Sequence, residues 1–306
     1  MLRFVLQRIG YGAVVIVLVG VVVFVVTHLV TNPVQAMLPL EASAAQRRAL
    51  THQLGLDRPL PVQFVDYVTH VSRLDFGTSL WQRRPALQII GERLPYTLEL
   101  VMVAMVVASA LGLLLGAVAA LRPGGLVDRL IVTLSVAGLS VPQFWLGLLL
   151  IVLFAVNLHW LPTSGAGDLR YLVLPVVTLA MPSIANLAMM VRSSMIDELN
   201  QQYVRFAVAK GLGRARVVGV HALRNASIPA LTLAGWELIR ALAGYTVVVE
   251  VVFGWPGLGH LAMDAIERQD ITLLQAIVLV VAVMVVVINV AIDVLYKAID
   301  PRVNLG

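Results

Sequence analysis

Six long apolar stretches take up most of this chain, and they leave it one broad architecture. The runs cover residues 9–26, 100–121, 130–156, 171–191, 228–252 and 272–292. A helix rises ~1.5 Å per residue, so about 20 apolar residues cross the ~30 Å of hydrocarbon in a bilayer. Each run is close to that length. In a soluble fold six helices apolar on every face would need burial, and a chain of 306 residues offers too little cover for them. Charged residues make up 13% of the chain, about half the ~25% of a soluble domain. The sequence therefore predicts an all-α polytopic membrane protein with six transmembrane helices.

Several chemistries are excluded early. The chain has no cysteine, which removes disulfides, thiolate metal sites, Fe–S clusters and a cysteine nucleophile. Its six histidines are scattered, with no paired ligand spacing, so no metal site is expected. No Walker-type phosphate loop occurs, so ATP is not expected to bind here. The basic start at Arg3 and Arg8 resembles a signal peptide, but the run at 9–26 is too long for a signal core and reads as an uncleaved first span.

Basic residues predict the orientation, because short cytoplasmic loops carry the excess of Lys and Arg. With the N-terminus inside, that side holds Arg3, Arg8, Arg122, Arg129, Arg192, Arg205, Lys210, Arg214, Arg216, Arg224, Lys297 and Arg302. The opposite short loops hold Arg170 and Arg268 alone. Both termini are thus expected in the cytoplasm, and the net charge of +5 reads as a topology signal rather than nucleic-acid binding. Residues 32–93 form an extracytoplasmic excursion with helix-like stretches at 44–53 and 62–72. The expected organisation is 1–93, the first span plus this excursion, and 94–300, a five-helix core containing a basic cytoplasmic loop at 199–225.

Charge inside the apolar runs marks candidate sites. Glu237 and Arg240 lie three apart near the middle of the fifth run, where each charge costs ~2.5–3.5 kcal/mol by insertion scales. Two readings fit: a face lining a watery path, or a structural ion pair between helices. Asp293 and Lys297 are spaced to pair across one turn. Pro142, Pro175 and Pro182 each remove a backbone hydrogen bond and can kink their helices. Gln143 and Asn186 stand beside them as polar candidates for a pathway. At 203–212, Tyr203, Phe206, Ala207 and Lys210 share one face of a short amphipathic helix, which Gly211 and Gly213 end. Such a helix either rests on lipid headgroups or inserts into a soluble partner. Trp255, Pro256, Gly257 and Gly259 form a turn that stops the fifth run, and Asp300-Pro301-Arg302 ends the sixth.

The segment Y-V-R-F-A-V-A-K-G-L-G at 203–213, followed by H-A-L-R-N-A-S-I-P at 221–229, resembles the EAA loop of peptide-type ABC import permeases. Four further matches follow the family in order: L-G-L-D-R-P-L-P at 54–61, E-R-L-P-Y-T-L-E at 92–99, V-V-V-E-V-V-F-G-W-P-G-L-G at 247–259, and the final D-P-R. The chain is similar to the first, B-type permease subunit of dipeptide, oligopeptide and nickel transporters. That resemblance implies a type I ABC importer permease fold in the bacterial cytoplasmic membrane. It also implies a second related permease subunit, two cytoplasmic ATPase subunits carrying ATP and Mg, and an extracytoplasmic solute-binding protein. Tyr203, Arg205, Phe206, Ala207, Lys210, Gly211, Leu212 and Gly213 would couple to an ATPase. Arg205-Phe206-Ala207 stands where the general motif has E-A-A, so no carboxylate engages the partner there. The implied cargo is short peptides, with nickel chelates, glutathione or haem as alternatives. A secondary transporter lacks support from any internal repeat, and an intramembrane enzyme lacks a nucleophile and base on one helix.

Overall fold

A computed structural model describes residues 2–30, 43–53 and 57–299 of the chain. Among them the regular structure is helical, with one isolated antiparallel bridge between Thr78 and Pro85. Four helices are long and apolar enough to cross a membrane: Val5–Val26, Ala86–Ala120, Leu169–Leu199 and Ile271–Val294. A bent pair, Leu126–Ser140 and Gln143–Asn157, meets at 104° and makes a fifth only if the two are counted as one span. The run at 130–156, where Pro142 is expected to kink the helix, is thus broken into two helices. Pro142 causes the break, since its ring forces Val141 into extended backbone (ψ 124°) and it cannot donate to the preceding turn. Pro175 and Pro182, by contrast, lie inside one unbroken helix.

The chain divides into two compact units, Met1–Pro95 with Gly257–Gly306, and Tyr96–Pro256. In the first, α1 (Leu2–Val30) packs along α12 (Ile271–Ile299). Outside the spans α2 (Ala44–Gln53) is largely exposed, while α3 (Leu60–Ser72) meets α1 through an aromatic cluster. Phe24 stands edge-on to Phe64 at 5.3 Å and lies 5.7 Å from Tyr67. Ala86, Ile89 and Ile90 form a core with Leu258, Leu261 and Ala265 of α11 (Leu258–Glu267) and with Leu273, Ala276 and Ile277 of α12. Asp270 caps α12 by accepting from Leu273 N at 3.1 Å and also accepts from Ser79 Oγ and Trp81 N. Arg268 stacks over the Trp81 ring at 4.0 Å. Asp293 pairs with Arg8 at 3.2 Å, a partner from another helix that the i,i+4 spacing to Lys297 does not reveal.

In the second unit α7 (Leu169–Leu199) is the central helix. Its apolar window is 61% buried, against 17% for α1. Asp168 starts it by accepting from Arg170 N at 3.0 Å. Around α7 lie α5 (Leu126–Ser140) and α9 (Leu223–Arg240), together with the later part of α4 (Ala86–Ala120). Close approach depends on small residues: a Cβ at Gly112 would stand 2.5 Å from Leu187 Cβ, and one at Gly116 2.5 Å from the Ala188 carbonyl. Asp128 of α5 is buried, ion-paired with Arg192 of α7, and accepts from Gly124 N at 2.7 Å. On another side, α6 (Gln143–Leu150) runs into a π-helical stretch, Ile151–Asn157.

The fifth expected span is helical throughout but not uniform. After α9 comes a π-helical turn, Ala241–Tyr245, then α10 (Thr246–Val252). The 18-residue α9 carries Arg224, Glu237 and Arg240, and α10 has 7 residues, so neither alone passes as a membrane crossing. The stop belongs to Gly254, whose φ of +55° an L side chain rarely adopts. Pro256 and Gly257 then lead into α11 rather than ending α10. Asp300-Pro301-Arg302 lies outside the described residues.

Candidate functional site

The basic loop after α7 contains one short helix, α8 (Gln202–Ala209), shorter than the expected 203–212 because Lys210 is its C-cap and Gly211 turns left-handed at φ +82°. Val204 is its buried residue. It lines, with Leu121, Leu199, Val208, Leu212, Val217 and Val218, a mainly apolar cavity of about 320 Å³. Phe206 points away and is 68% exposed. Arg205, Lys210, Gly211 and Gly213 are exposed, and Ala207 is half-buried. Tyr203 acts inward, although it shares the expected outer face with Phe206. Its hydroxyl donates to Glu198 Oε2 at the end of α7, and Asn225 Nδ2 of α9 donates to it at 3.1 Å. Burial, and next the Glu198 carboxylate, push the Tyr203 phenol above its usual range, which keeps that proton in place. The loop helix is thus tied to both α7 and α9.

Farther along the same two helices lies a polar cluster. Glu237, 1% exposed, accepts from Ser183 Oγ at 2.9 Å, Asn186 Nδ2 at 2.9 Å and Arg240 Nη1 at 3.2 Å. A buried carboxylate is tolerable when its lone pairs are this fully used. The side chain of Arg240 is 54% exposed. Glu237 is therefore buried within the ion pair, and Arg240 is the member whose side chain is exposed. Asn186 joins the cluster. Gln143 stands in the first turn of α6, its Nε2 buried without a hydrogen-bond partner among the described residues.

A third element is the turn at Trp255. The indole donates to the Tyr96 carbonyl at 2.9 Å and meets the Tyr96 ring edge-on at 6.1 Å. Five residues earlier Glu250 is fully buried and accepts from Thr97 Oγ1 at 2.7 Å. Pro256, Gly257 and Gly259 shape the chain around this anchor. Contacts that sequence reasoning missed include Ser183 on Glu237, the Asp128–Arg192 pair, and the Gly112/Gly116 approach to α7. The last was readable, because G-x-x-x-G in an apolar helix marks close packing.

In the second unit α5, α9 and the later part of α4 therefore surround α7, a short helix lies on the basic loop, and a buried polar cluster joins α7 to α9. A chain of the MetNI methionine ABC transporter, in an inward-facing conformation, has the same fold, with a TM-score of 0.59 at 20% identity over 70% of this chain and 97% of that one. The chain belongs to the family of binding-protein-dependent transport system inner membrane components, whose model matches residues 112–305 while the N-terminal model matches residues 1–101. Similar relatives include the glutathione transport system permease protein GsiC of Salmonella typhimurium, 41% identical over 99% of both chains. The di/tripeptide transport system permease protein DppB of Pseudomonas aeruginosa is 39% identical, again over 99% of both. The protein is an ABC import permease, integral to the inner membrane.

Proposed function

We propose that this permease forms, with a second related permease, the pathway for importing short peptides, glutathione among them. Two cytoplasmic ATPases would bind ATP and Mg, and an extracytoplasmic binding protein would deliver cargo. The observation that carries the reading is the double tie between α7 and α9. Tyr203 with Glu198 and Asn225 joins them at the loop, and Glu237 with Ser183 and Asn186 joins them inside the bundle. A displacement of α8 would therefore move both helices as one body, which is what an ATPase needs in order to open a pathway. Cargo follows from the relatives, one named for glutathione and one for di- and tripeptides.

The test is uptake by the complete complex in proteoliposomes loaded with ATP. Labelled dipeptide, tripeptide and glutathione should accumulate only when binding protein and hydrolysable nucleotide are both present. Uptake driven by a proton or sodium gradient without the ATPases would overturn this reading.

The proposed orientation places both termini in the cytoplasm and α3 outside. The absence of native cysteine makes the check direct. His70→Cys and Leu169→Cys should react with an impermeant maleimide in intact cells. Leu126→Cys and Gly213→Cys should react only after permeabilisation, and all four positions are exposed. Labelling of position 213 from outside would reverse the topology.

A further inference from the structure

An arginine in the middle of the apolar run at 228–252 needs a reason. Arg240 ends α9 where the helix changes from α to π hydrogen bonding, a change frequent at functional sites. One of its N–H donors meets Glu237 Oε1 at 3.2 Å, and its side chain remains 54% exposed. Among the described residues no other hydrogen-bond or ion-pair partner is present for the guanidinium, whose remaining N–H groups can only donate. Four residues earlier Trp236 is 57% exposed on the same side of the helix, and Ala243, Gly244 and Tyr245 are exposed just beyond. A charge with free donors near the middle of an apolar run is costly against lipid. The face therefore looks onto water or onto something that brings an anion.

We propose that Arg240 is the transit anchor for the terminal carboxylate of the cargo, an inference that rests on the peptide reading above. A planar guanidinium matches a carboxylate in a two-bond fork. Glu237 fixes the side chain from behind, its own oxygens held by Ser183, Asn186 and Arg240. Its negative charge also lowers the net attraction for cargo. That suits a pathway, where binding must be favourable enough to admit a peptide and weak enough to release it. The exposed Trp236 gives the adjoining peptide backbone and side chains a flat surface that is indifferent to sequence.

The experiment compares trialanine with its C-terminal amide in the reconstituted complex, using wild type, Arg240→Gln and Arg240→Lys. The binding protein is common to all three, so its own preference cancels when acid-to-amide uptake ratios are compared between variants. In Arg240→Gln the ratio should fall on the order of tenfold, the scale of a hydrogen bond to a charged group. Arg240→Lys, which keeps the charge but loses the fork, should fall in between. A wild-type ratio in Arg240→Gln overturns the proposal. So does failure of both variants to co-purify with the second permease, which would make Arg240 an interface residue. If wild type imports neither trialanine nor glutathione, the peptide reading fails as well; an unchanged ratio with intact uptake sinks the anchor alone.

Discussion

Replacing Gly116 by alanine should destabilise the permease, while the same change at Gly91 of the same helix should not. Both positions are helical, and an exposed helical glycine gains about 0.5–1 kcal/mol on becoming alanine. The surroundings reverse that sign at one of them. A Cβ on Gly116 would lie 2.5 Å from the Ala188 carbonyl oxygen, 2.6 Å from Val191 Cβ and 3.0 Å from Arg192 N. Two of these are backbone atoms of α7 and cannot rotate away. A Cβ on Gly91 meets nothing within 4 Å. Inside a bilayer, helices associate through packing rather than hydrophobic exclusion, so separating α4 from α7 loses the main attraction between them. Overpacking costs about 1–3 kcal/mol, and Gly116→Leu should exceed Gly116→Ala. Moving α7 would also strain the ion pair of Arg192 with Asp128. Thermal unfolding of the detergent-purified subunit, with yield of the assembled complex, checks this. A Gly116→Ala transition temperature at or above wild type would show that the close approach is not used.

How much of this was legible in the sequence depends on the range of each interaction. Span positions were readable because length and apolarity are local properties. The bend at Pro142 was signalled by the proline, but Pro175 and Pro182 carry the same signal and leave α7 unbroken. The difference is tertiary: α7 is packed along α5 and α9, whereas Pro142 follows the end of a helix and begins another. Glu237 and Arg240 were paired correctly from their i,i+3 spacing. Their division into a buried holder and an exposed cation depends on Ser183 and Asn186, 54 and 51 residues away. Periodicity placed Tyr203 on the same face as Phe206, yet Tyr203 reaches Glu198 and Asn225. A tyrosine carries both an apolar ring and a polar tip, so its place on a helical wheel does not fix which end is used.

Phe206→Asp should release the ATPase subunits from the purified complex, or leave them bound without stimulation by loaded binding protein. The side chain is 68% exposed on a helix whose own packing is made by Val204 and whose polar tie is made by Tyr203. Phe206 is therefore not needed to hold the loop together. Burying it in a partner's apolar groove would contribute about 1.5–3 kcal/mol, and a carboxylate there would lose that term and add a desolvation cost. Gly211 tests the same surface from its edge, but the backbone must be separated from the bulk. With φ at +82° and no heavy atom within 4 Å of the position a Cβ would take, Gly211→Ala strains the turn by about 1–2 kcal/mol while adding little volume. Gly211→Trp carries the same strain plus a large ring outside the loop. If α8 docks into an ATPase, Trp should uncouple transport far more than Ala. If α8 rests on lipid headgroups instead, a tryptophan at the interface would strengthen that contact, and Phe206→Asp would loosen the loop with ATPase stoichiometry unchanged. Co-purification and stimulated hydrolysis in these three variants therefore separate a partner groove from a lipid surface, and full stimulation in Phe206→Asp and Gly211→Trp would remove α8 from the coupling path.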